Sequence, residues 1–73
     1  MDKVIQSGNG IWTDTVCLSD SDYEKLLGMG AGTSVVLSDG KRASFDGDYY
    51  HLVLSYGRTV SFTYSDLLNA SSS

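Results

Sequence analysis

The sequence predicts a small α+β domain that is mostly antiparallel β, with about five to six strands, one short helix and a short C-terminal helical turn. Two observations predict this class. Apolar, β-prone runs alternate with glycine-containing turns, and one phrase occurs twice, as VVLSDGKRASF over residues 35–45 and as LVLSYGRTVSF over residues 52–62. We expect a single domain over residues 1–70 and a frayed polar tail over residues 71–73.

The N-terminal part predicts a hairpin over about residues 3–18. Val4 and Ile5 begin it, and the SGNG segment at residues 7–10 contains two glycines and an asparagine, which tolerate positive φ and favour a turn. Residues 11–19 follow as a second strand rich in β-prone side chains, with Trp12 expected in the core.

The next segment predicts a short helix near residues 21–28. Ser21 and Glu24 fit a capping box, in which the serine side chain accepts from the backbone of Glu24 and the glutamate returns the bond. The apolar face consists of residues at i, i+3 and i+4 spacing, namely Tyr23, Leu26 and Leu27. The glycines of residues 28–32 end the helix and connect it to the next strand.

Residues 34–64 predict four antiparallel strands in a meander. Asp39-Gly40 favours a two-residue type I′ turn, which would pair Val36 with Ala43. In the second copy Tyr56-Gly57 takes that place, and because tyrosine disfavours positive φ, a type II turn or a bulged loop fits better. Asp46-Gly47-Asp48 forms the turn between the copies. After the meander, Ser65 is expected to cap a last helical turn that contributes two apolar residues, Leu67 and Leu68.

This pairing places apolar residues on both faces of the meander, so we expect both faces to be at least partly covered. A curved, SH3-like roll is the leading architecture, and an open α+β sandwich is the second. Two hairpins built to one packing plan explain the repeated phrase, and a duplication within the chain remains an alternative. Phe45 and Phe62, which occupy equivalent positions, are expected in the core.

The composition excludes several kinds of chemistry. His51 is the single histidine and Cys17 the single cysteine, so the chain has no Cys and His set for zinc and no internal disulfide. Cys17 lies in an apolar run and is expected to be a small buried hydrophobic residue. No phosphate-binding loop is present, and no G-x-S-x-G element. We therefore expect no cofactor, no metal site and no enzymatic activity. A Ser–His–Asp set built on His51 stays open, but a strand residue with one wet edge is the preferred interpretation.

The acidic charge and the lack of a long apolar run predict a soluble protein that does not bind membranes, and the lack of a disulfide predicts a cytoplasmic one, in the host cytoplasm if it is phage-encoded. The net charge is −4, and no run approaches the ~20 apolar residues of a membrane helix. Few basic residues also argue against a dedicated nucleic-acid surface. The alternative is a nucleic-acid-binding small β-barrel, whose basic residues would gather after the two turns and whose tyrosines would stack on bases. Those basic residues are Lys41, Arg42 and Arg58.

Protein binding fits the composition better, because tyrosine and tryptophan are enriched at interface hot spots and the chain has five Tyr and one Trp. Tyr49, Tyr50 and Tyr56 lie beside turns, where partial exposure is expected. The candidate partner-binding residues are Tyr49, Tyr50, Tyr56, Lys41, Arg42 and Arg58. We expect the acids of the N-terminal half to form an opposing negative surface: Asp14, Asp20, Asp22 and Glu24.

In size, acidity and lack of a catalytic set, the chain resembles small phage-encoded proteins that bind and reprogram host machinery, such as the RNA-polymerase-binding transcription regulator of Xanthomonas phages. The resemblance covers bulk properties and carries over no residue. It implies a non-enzymatic regulator or inhibitor, with host transcription or other nucleic-acid-processing machinery as its target. A self-associating virion or scaffold subunit is a further alternative.

Overall fold

A computed structural model describes residues 2–8 and 13–72. Within these residues the elements are, in chain order, β1 (Lys3–Gly8), β2 (Thr13–Leu18), α1 (Asp20–Leu27), β3 (Thr33–Val36), β4 (Arg42–Phe45), β5 (Tyr49–Val53), β6 (Thr59–Thr63), α2 (Tyr64–Leu68) and β7 (Ser71–Ser72). A single 3₁₀ turn, Ser38–Gly40, connects β3 to β4. The expected class, a mostly antiparallel α+β fold, is confirmed.

The strands form two antiparallel sheets, one of three strands in the order β2-β1-β7 and one of four strands in the order β3-β4-β5-β6. The N-terminal hairpin and the meander of residues 34–64 are confirmed. The sheets meet where β1 lies beside β6. Within the described part of the chain they do not close into a barrel, so the domain is an open meander beside a small sheet. Trp12, expected in the core, lies outside the described residues.

Helix α1 begins one residue earlier than expected. Its N-cap is Ser19, whose hydroxyl accepts from the Asp22 N–H at 3.2 Å. The capping box on Ser21 and Glu24 is therefore wrong, because Ser21 already lies inside the helix. Gly28 ends the helix as expected, with its N–H donating to the Glu24 carbonyl at 3.2 Å.

Asp22 is buried, although it was expected among the surface acids. Its Oδ1 accepts from the Ser38 N–H at 3.2 Å and from the Ser38 hydroxyl at 3.1 Å. These bonds satisfy the buried carboxylate and hold α1 against the turn between β3 and β4. Such a contact joins residues 16 positions apart and has no local sequence signal.

The core contains residues from both sheets and both helices: Ile5, Val16, Leu18, Leu26, Leu37, Ala43, Tyr50, Leu52, Val60, Phe62 and Leu67. An aromatic row crosses the four-stranded sheet within it. Phe45 stacks on Tyr50 at a centroid distance of 4.2 Å, and Tyr50 on Phe62 at 5.5 Å. The expected core positions of Phe62, buried, and Phe45, half-buried against the core, are confirmed.

The first hairpin of the meander has a different register from the expected one. The Leu37 N–H donates to the Lys41 carbonyl at 2.7 Å, which leaves three residues in the loop, and Val35 instead of Val36 pairs with Ala43. Gly40 takes a φ of +78° at the last loop position. The prediction of a two-residue type I′ turn is therefore wrong. A type I′ turn needs two residues with positive φ, whereas a three-residue loop needs only one, which Gly40 supplies.

The second hairpin has the same loop length. The Leu54 N–H donates to the Arg58 carbonyl at 2.8 Å, and Gly57 has a φ of +94°. The expectation that Gly57 supplies the positive φ here is confirmed.

This shift of one residue corrects the assignment of the sheet faces, because neighbouring strand residues point to opposite sides. In β5, Tyr50 and Leu52 point into the core, while His51 and Val53 point the other way. In β6, Val60 and Phe62 are buried, while Ser61 is exposed. Apolar residues do occur on both faces, as expected, but the assignment of residues to faces was wrong, and the face that carries Val36 and Tyr49 is open instead of covered.

The C-terminal segment differs from its prediction at two points. Thr63, not Ser65, caps α2, and it forms a capping box in which its hydroxyl and the Asp66 carboxylate each accept from the other's backbone N–H at 3.1 Å. Residues 71–72 were expected to fray but form β7, in which Ser71 and Ser72 pair with β1.

Two further properties bear on function. Cys17 is exposed instead of buried, because its neighbours Val16 and Leu18 take the inward positions of β2. Neither helix of the described chain has the length and apolar character needed to cross a membrane.

Candidate functional site: the open face of the four-stranded sheet

The side of the four-stranded sheet that faces away from the core is called the open face here. Helix α1 covers the opposite side, as shown by the Tyr50 hydroxyl, which donates to the Leu26 carbonyl at 3.0 Å. Strand pairing arranges the open face in two complete cross-strand rows and a third, partial one. The first contains Val36, Arg42, Val53 and Thr59, the second Ser34, Ser44, His51 and Ser61, and the third Tyr49 and Thr63.

A hydrogen-bonded set of three side chains lies at the centre of this face. Ser61 stands directly opposite His51 on the neighbouring strand, and its Oγ lies 2.9 Å from the His51 Nδ1. The other ring nitrogen, Nε2, lies 3.1 Å from the Asp46 Oδ2. The imidazole is therefore held at both ends, in line between a carboxylate and a hydroxyl.

The turn between β4 and β5 positions Asp46. Its Oδ1 accepts from the backbone N–H groups of Asp48 and Tyr49, each at 2.8 Å, while Gly47 takes a φ of +107°. The N–H groups of Tyr49 and Asp48, followed by the His51 ring, lower the pKa of Asp46 from 3.8 to about 2. Asp46 is consequently ionised at neutral pH and can only accept hydrogen bonds.

The ionised carboxylate fixes the tautomer of His51. Since Asp46 accepts, Nε2 carries the hydrogen, and Nδ1 of the neutral ring accepts from the Ser61 hydroxyl. This arrangement polarises the Ser61 O–H bond. His51 and Asp46 have side-chain exposures of 41% and 54%, so water reaches the set freely. The geometry orients the ring and presents a hydrogen-bonding centre to whatever contacts the sheet.

Apolar and aromatic groups flank this centre. Tyr49 is 49% exposed, and its ring lies 6.5 Å from that of His51. Val36, on the sheet edge, is 66% exposed. Arg42 is exposed in the same row as Val36, and within the described residues its side chain has no carboxylate partner. The open face thus combines aromatic, aliphatic, cationic and hydrogen-bonding groups.

The predicted tyrosines separate into two environments. Tyr49 and Tyr56 are exposed as expected, and Tyr49 belongs to the open face. The expectation of partial exposure is wrong for Tyr50, which is only 1% exposed and points into the core. Burial, with a smaller contribution from Tyr64, raises the pKa of the Tyr50 hydroxyl.

The three basic residues lie at the same end of the meander, as expected, but their surroundings differ. Arg58 forms an ion pair with Asp14, which lies on β2 of the other sheet. Lys41 is half-buried and has an interaction of its own. Arg42 is therefore the basic residue that the open face presents.

Asp46 and Ser61 were missed as candidate residues. If the second hairpin had the two-residue loop expected for the first, His51 would lie on the same side as Phe62 and Ser61 on the other, which separates the two side chains that the structure joins. Glycine at the last loop position fits a two-residue and a three-residue loop alike, and only the three-residue loop places Ser61 opposite His51.

Comparison of the chain with protein-family models, curated protein sequences and solved structures found no match. Within residues 2–8 and 13–72, no three His, Cys, Asp or Glu side chains converge in an arrangement that could hold a metal ion.

Proposed function

We propose that the chain is a non-enzymatic protein-binding regulator or inhibitor that contacts its partner through the open face. The observation that carries this proposal is the exposure of Tyr49 and Val36 around the hydrogen-bonding centre at His51. Protein interfaces combine aromatic and aliphatic contact area with a few positioned polar groups, and arginine and tyrosine are common at their hot spots.

The rigidity and the mixed charge of the open face support a protein partner. The strands that form this face are held in place by their backbone pairing and by the row of stacked aromatic rings on the core side of the sheet. A rigid surface loses little conformational entropy on binding, which favours affinity. The charges of the face, Arg42 and Asp46, are of opposite sign, so it suits a partner surface of mixed charge.

The resemblance to small phage-encoded host-takeover proteins suggests the class of partner. It favours RNA polymerase or other nucleic-acid-processing machinery of a host cell as the target, with the cytoplasm as the compartment. This step rests on size and charge, whereas the location of the binding surface rests on the geometry of the open face.

A matched pair of tyrosine variants tests the surface. Tyr49 and Tyr64 have similar exposures of 49% and 46%, but only Tyr49 lies on the open face. Purified RNA polymerase is passed over immobilised wild type, Tyr49→Ala and Tyr64→Ala, and the bound fraction is measured. We expect Tyr49→Ala to weaken binding by about tenfold or more and Tyr64→Ala to leave it unchanged. Equal losses would place the surface elsewhere, and no binding to wild type would remove RNA polymerase as the partner.

Nucleic-acid binding is less well supported, because the Arg58–Asp14 pair occupies one of the three cations on which it relied. Fluorescence anisotropy with a labelled single-stranded oligonucleotide at about 50 mM salt tests it. Saturable binding that falls steeply with salt and is lost in Arg42→Ala would favour this alternative over a protein partner.

A second candidate function is acyl transfer at Ser61, favoured by the Ser61–His51–Asp46 hydrogen bonds. Its weakness is the open position of the set, because the electrostatic stabilisation of an oxyanion is most effective where water is excluded. Incubation with a fluorophosphonate probe, followed by mass spectrometry, decides between the two. Labelling of Ser61 that disappears in His51→Ala would favour acyl transfer, and an unlabelled protein would favour a binding role.

A further inference from the structure

Strand β3 is a free edge of the four-stranded sheet. It pairs with β4 on one side, and within the described residues no strand pairs with its other side. Thr33 and Ser34 are exposed, and Val36 is 66% exposed. The edge is therefore open to a further strand.

The hydrogen bonds of the first hairpin identify the backbone groups that point outward. Leu37 and Lys41 form a hydrogen-bonded pair, since the Leu37 N–H donates to the Lys41 carbonyl at 2.7 Å. Such pairs alternate along an antiparallel ladder, so Val35 bonds to β4, while the N–H and C=O groups of Ser34 and Val36 point away from it. At this edge the N–H and C=O groups of Ser34 and Val36 therefore have no partner within the sheet.

Natural edge strands are commonly protected from pairing by short length, lysine, proline, inward-pointing charge or bulges. Strand β3 is short, with four residues, but its sequence Thr-Ser-Val-Val contains no charged residue and no proline, and three of its residues are β-branched. These are the properties of a strand that accepts another strand.

We propose that β3 pairs antiparallel with β3 of a second copy of this chain, about a two-fold axis at Val35. Ser34 then lies opposite the partner's Val36, and Val36 opposite the partner's Ser34. Each of these pairs joins two residues whose backbone groups point outward, so the contact forms four backbone hydrogen bonds. The two sheets become one continuous sheet of eight strands.

The lack of charge on β3 favours a second copy as the occupant. In a two-fold contact the same strand of each molecule lies on both sides of the axis. A charged residue on that strand would therefore lie close to the same charge on the partner molecule. Thr33, Ser34, Val35 and Val36 avoid this repulsion. Val35 meets its own equivalent on the core side, and the exposed Val36 packs beside the partner's Ser34 on the open face.

The dimer also determines how the two open faces are arranged. Both lie on the same side of the continuous sheet, because the axis runs perpendicular to it. Five strand spacings separate β5 of one copy from β5 of the other, so the two His51 centres lie about 24 Å apart before twist is considered. This inference goes beyond the proposed partner binding and does not depend on it.

A contact of one short strand buries less area than stable dimers do, so we expect a dissociation constant on the order of 10⁻⁴ M. Sedimentation equilibrium from about 10 µM to about 1 mM should show a monomer–dimer equilibrium. Val36→Lys adds a charge at an exposed edge position and should weaken association by about tenfold or more. Thr59→Lys is the matched control, because Thr59 lies in the same cross-strand row at the far edge of the sheet, and it should associate as wild type does.

The register is tested by a filtered nuclear Overhauser experiment on a mixture of labelled and unlabelled chains. Val35 faces its own equivalent as a non-hydrogen-bonded pair, in which the Cα atoms are about 4.5 Å apart. A strong intermolecular contact between the two Val35 Hα protons is expected. A wild type that stays monomeric at about 1 mM, or association that Val36→Lys and Thr59→Lys leave equally intact, would overturn the proposal.

Discussion

The two copies of the repeated phrase fold into the same hairpin but occupy different places in the sheet. In both, a three-residue loop ends on a glycine with positive φ, and equivalent residues pair across the strands. The first copy begins with β3 at the sheet edge, where Val36 is exposed, whereas the second begins with β5 between two strands. Local sequence therefore determines the hairpin, and position in the sheet determines what each copy can do.

The largest expected difference between the copies concerns core packing at equivalent positions. Leu52 is fully buried in β5, while Val35, its counterpart in β3, is half-buried. Leu52→Ala should lower the free energy of unfolding by about 2–5 kcal/mol and Val35→Ala by about 1 kcal/mol. Urea denaturation of both variants measures this. Equal losses would mean that the two strands are equally buried and would contradict the difference between edge and interior.

The loop glycines should show where the copies are alike. Gly40 and Gly57 both have positive φ, and no atom lies within 4 Å of an added Cβ at either position. Alanine should therefore cost about 1–2 kcal/mol at each, through backbone strain alone. Gly30→Ala is the control, because Gly30 has equal space but no positive φ, and it should be neutral or slightly stabilising. A Gly40→Ala effect much smaller than that of Gly57→Ala would show that the loops differ.

The turn between the copies should give a pH-dependent contribution to stability. The pKa of Asp46 is about 2 in the folded protein, against an ordinary value of 3.8. Because the folded-state pKa is the lower one, the contribution is complete above a pH of about 4 and is lost as the pH falls through about 2. Asp46→Asn should show a smaller decline across this window than wild type.

Unfolding free energies measured by urea denaturation between pH 5 and pH 2 test this expectation. Asp48→Asn is the control, since Asp48 lies in the same exposed turn and contributes a backbone N–H instead of a carboxylate to the Asp46 network. Parallel curves for wild type and Asp46→Asn would show that the hydrogen bonds to this carboxylate do not persist in solution.

The smallest expected effect comes from the Arg58–Asp14 pair, which connects the second hairpin to the other sheet. The Arg58 side chain is about half exposed, and exposed pairs are strongly screened by water and salt. A double-mutant cycle with Arg58→Gln and Asp14→Asn should give a coupling energy below about 1 kcal/mol that falls further in high salt. A coupling above about 2 kcal/mol would show that this pair holds the sheets together.

The secondary structure of the domain could be predicted from its sequence, but the strand register could not. Glycine positions and β-prone runs were sufficient for the hairpins and the meander, and the helical spacing of Tyr23, Leu26 and Leu27 was sufficient for helix α1. They were not sufficient for the register, because Asp39-Gly40 is compatible with a two-residue and a three-residue loop. That difference of one residue exchanges the sheet faces, so the Ser61–His51–Asp46 set stayed hidden although His51 itself was considered.

The helix boundaries were missed for another physical reason. Ser19, Asp20, Ser21 and Asp22 are all residue types that favour an N-cap, so local preference does not choose among them. Ser19 is the cap in the structure, and Asp22, three residues later, bonds to Ser38 far along the chain. The bond between Asp22 and Ser38 depends on tertiary structure, which a local sequence pattern does not contain.

The most direct test of the open face as the proposed binding surface is a titration of the methyl-labelled protein with purified RNA polymerase, the proposed partner, followed by nuclear magnetic resonance. Side chains alternate along β5 and across its row, so binding at the open face should shift the methyl signals of Val53 and Val36. The buried methyls of Leu52 and Val60 should remain nearly unchanged. Shifts confined to Leu68 or Leu27, which are exposed on the helices, would contradict the account.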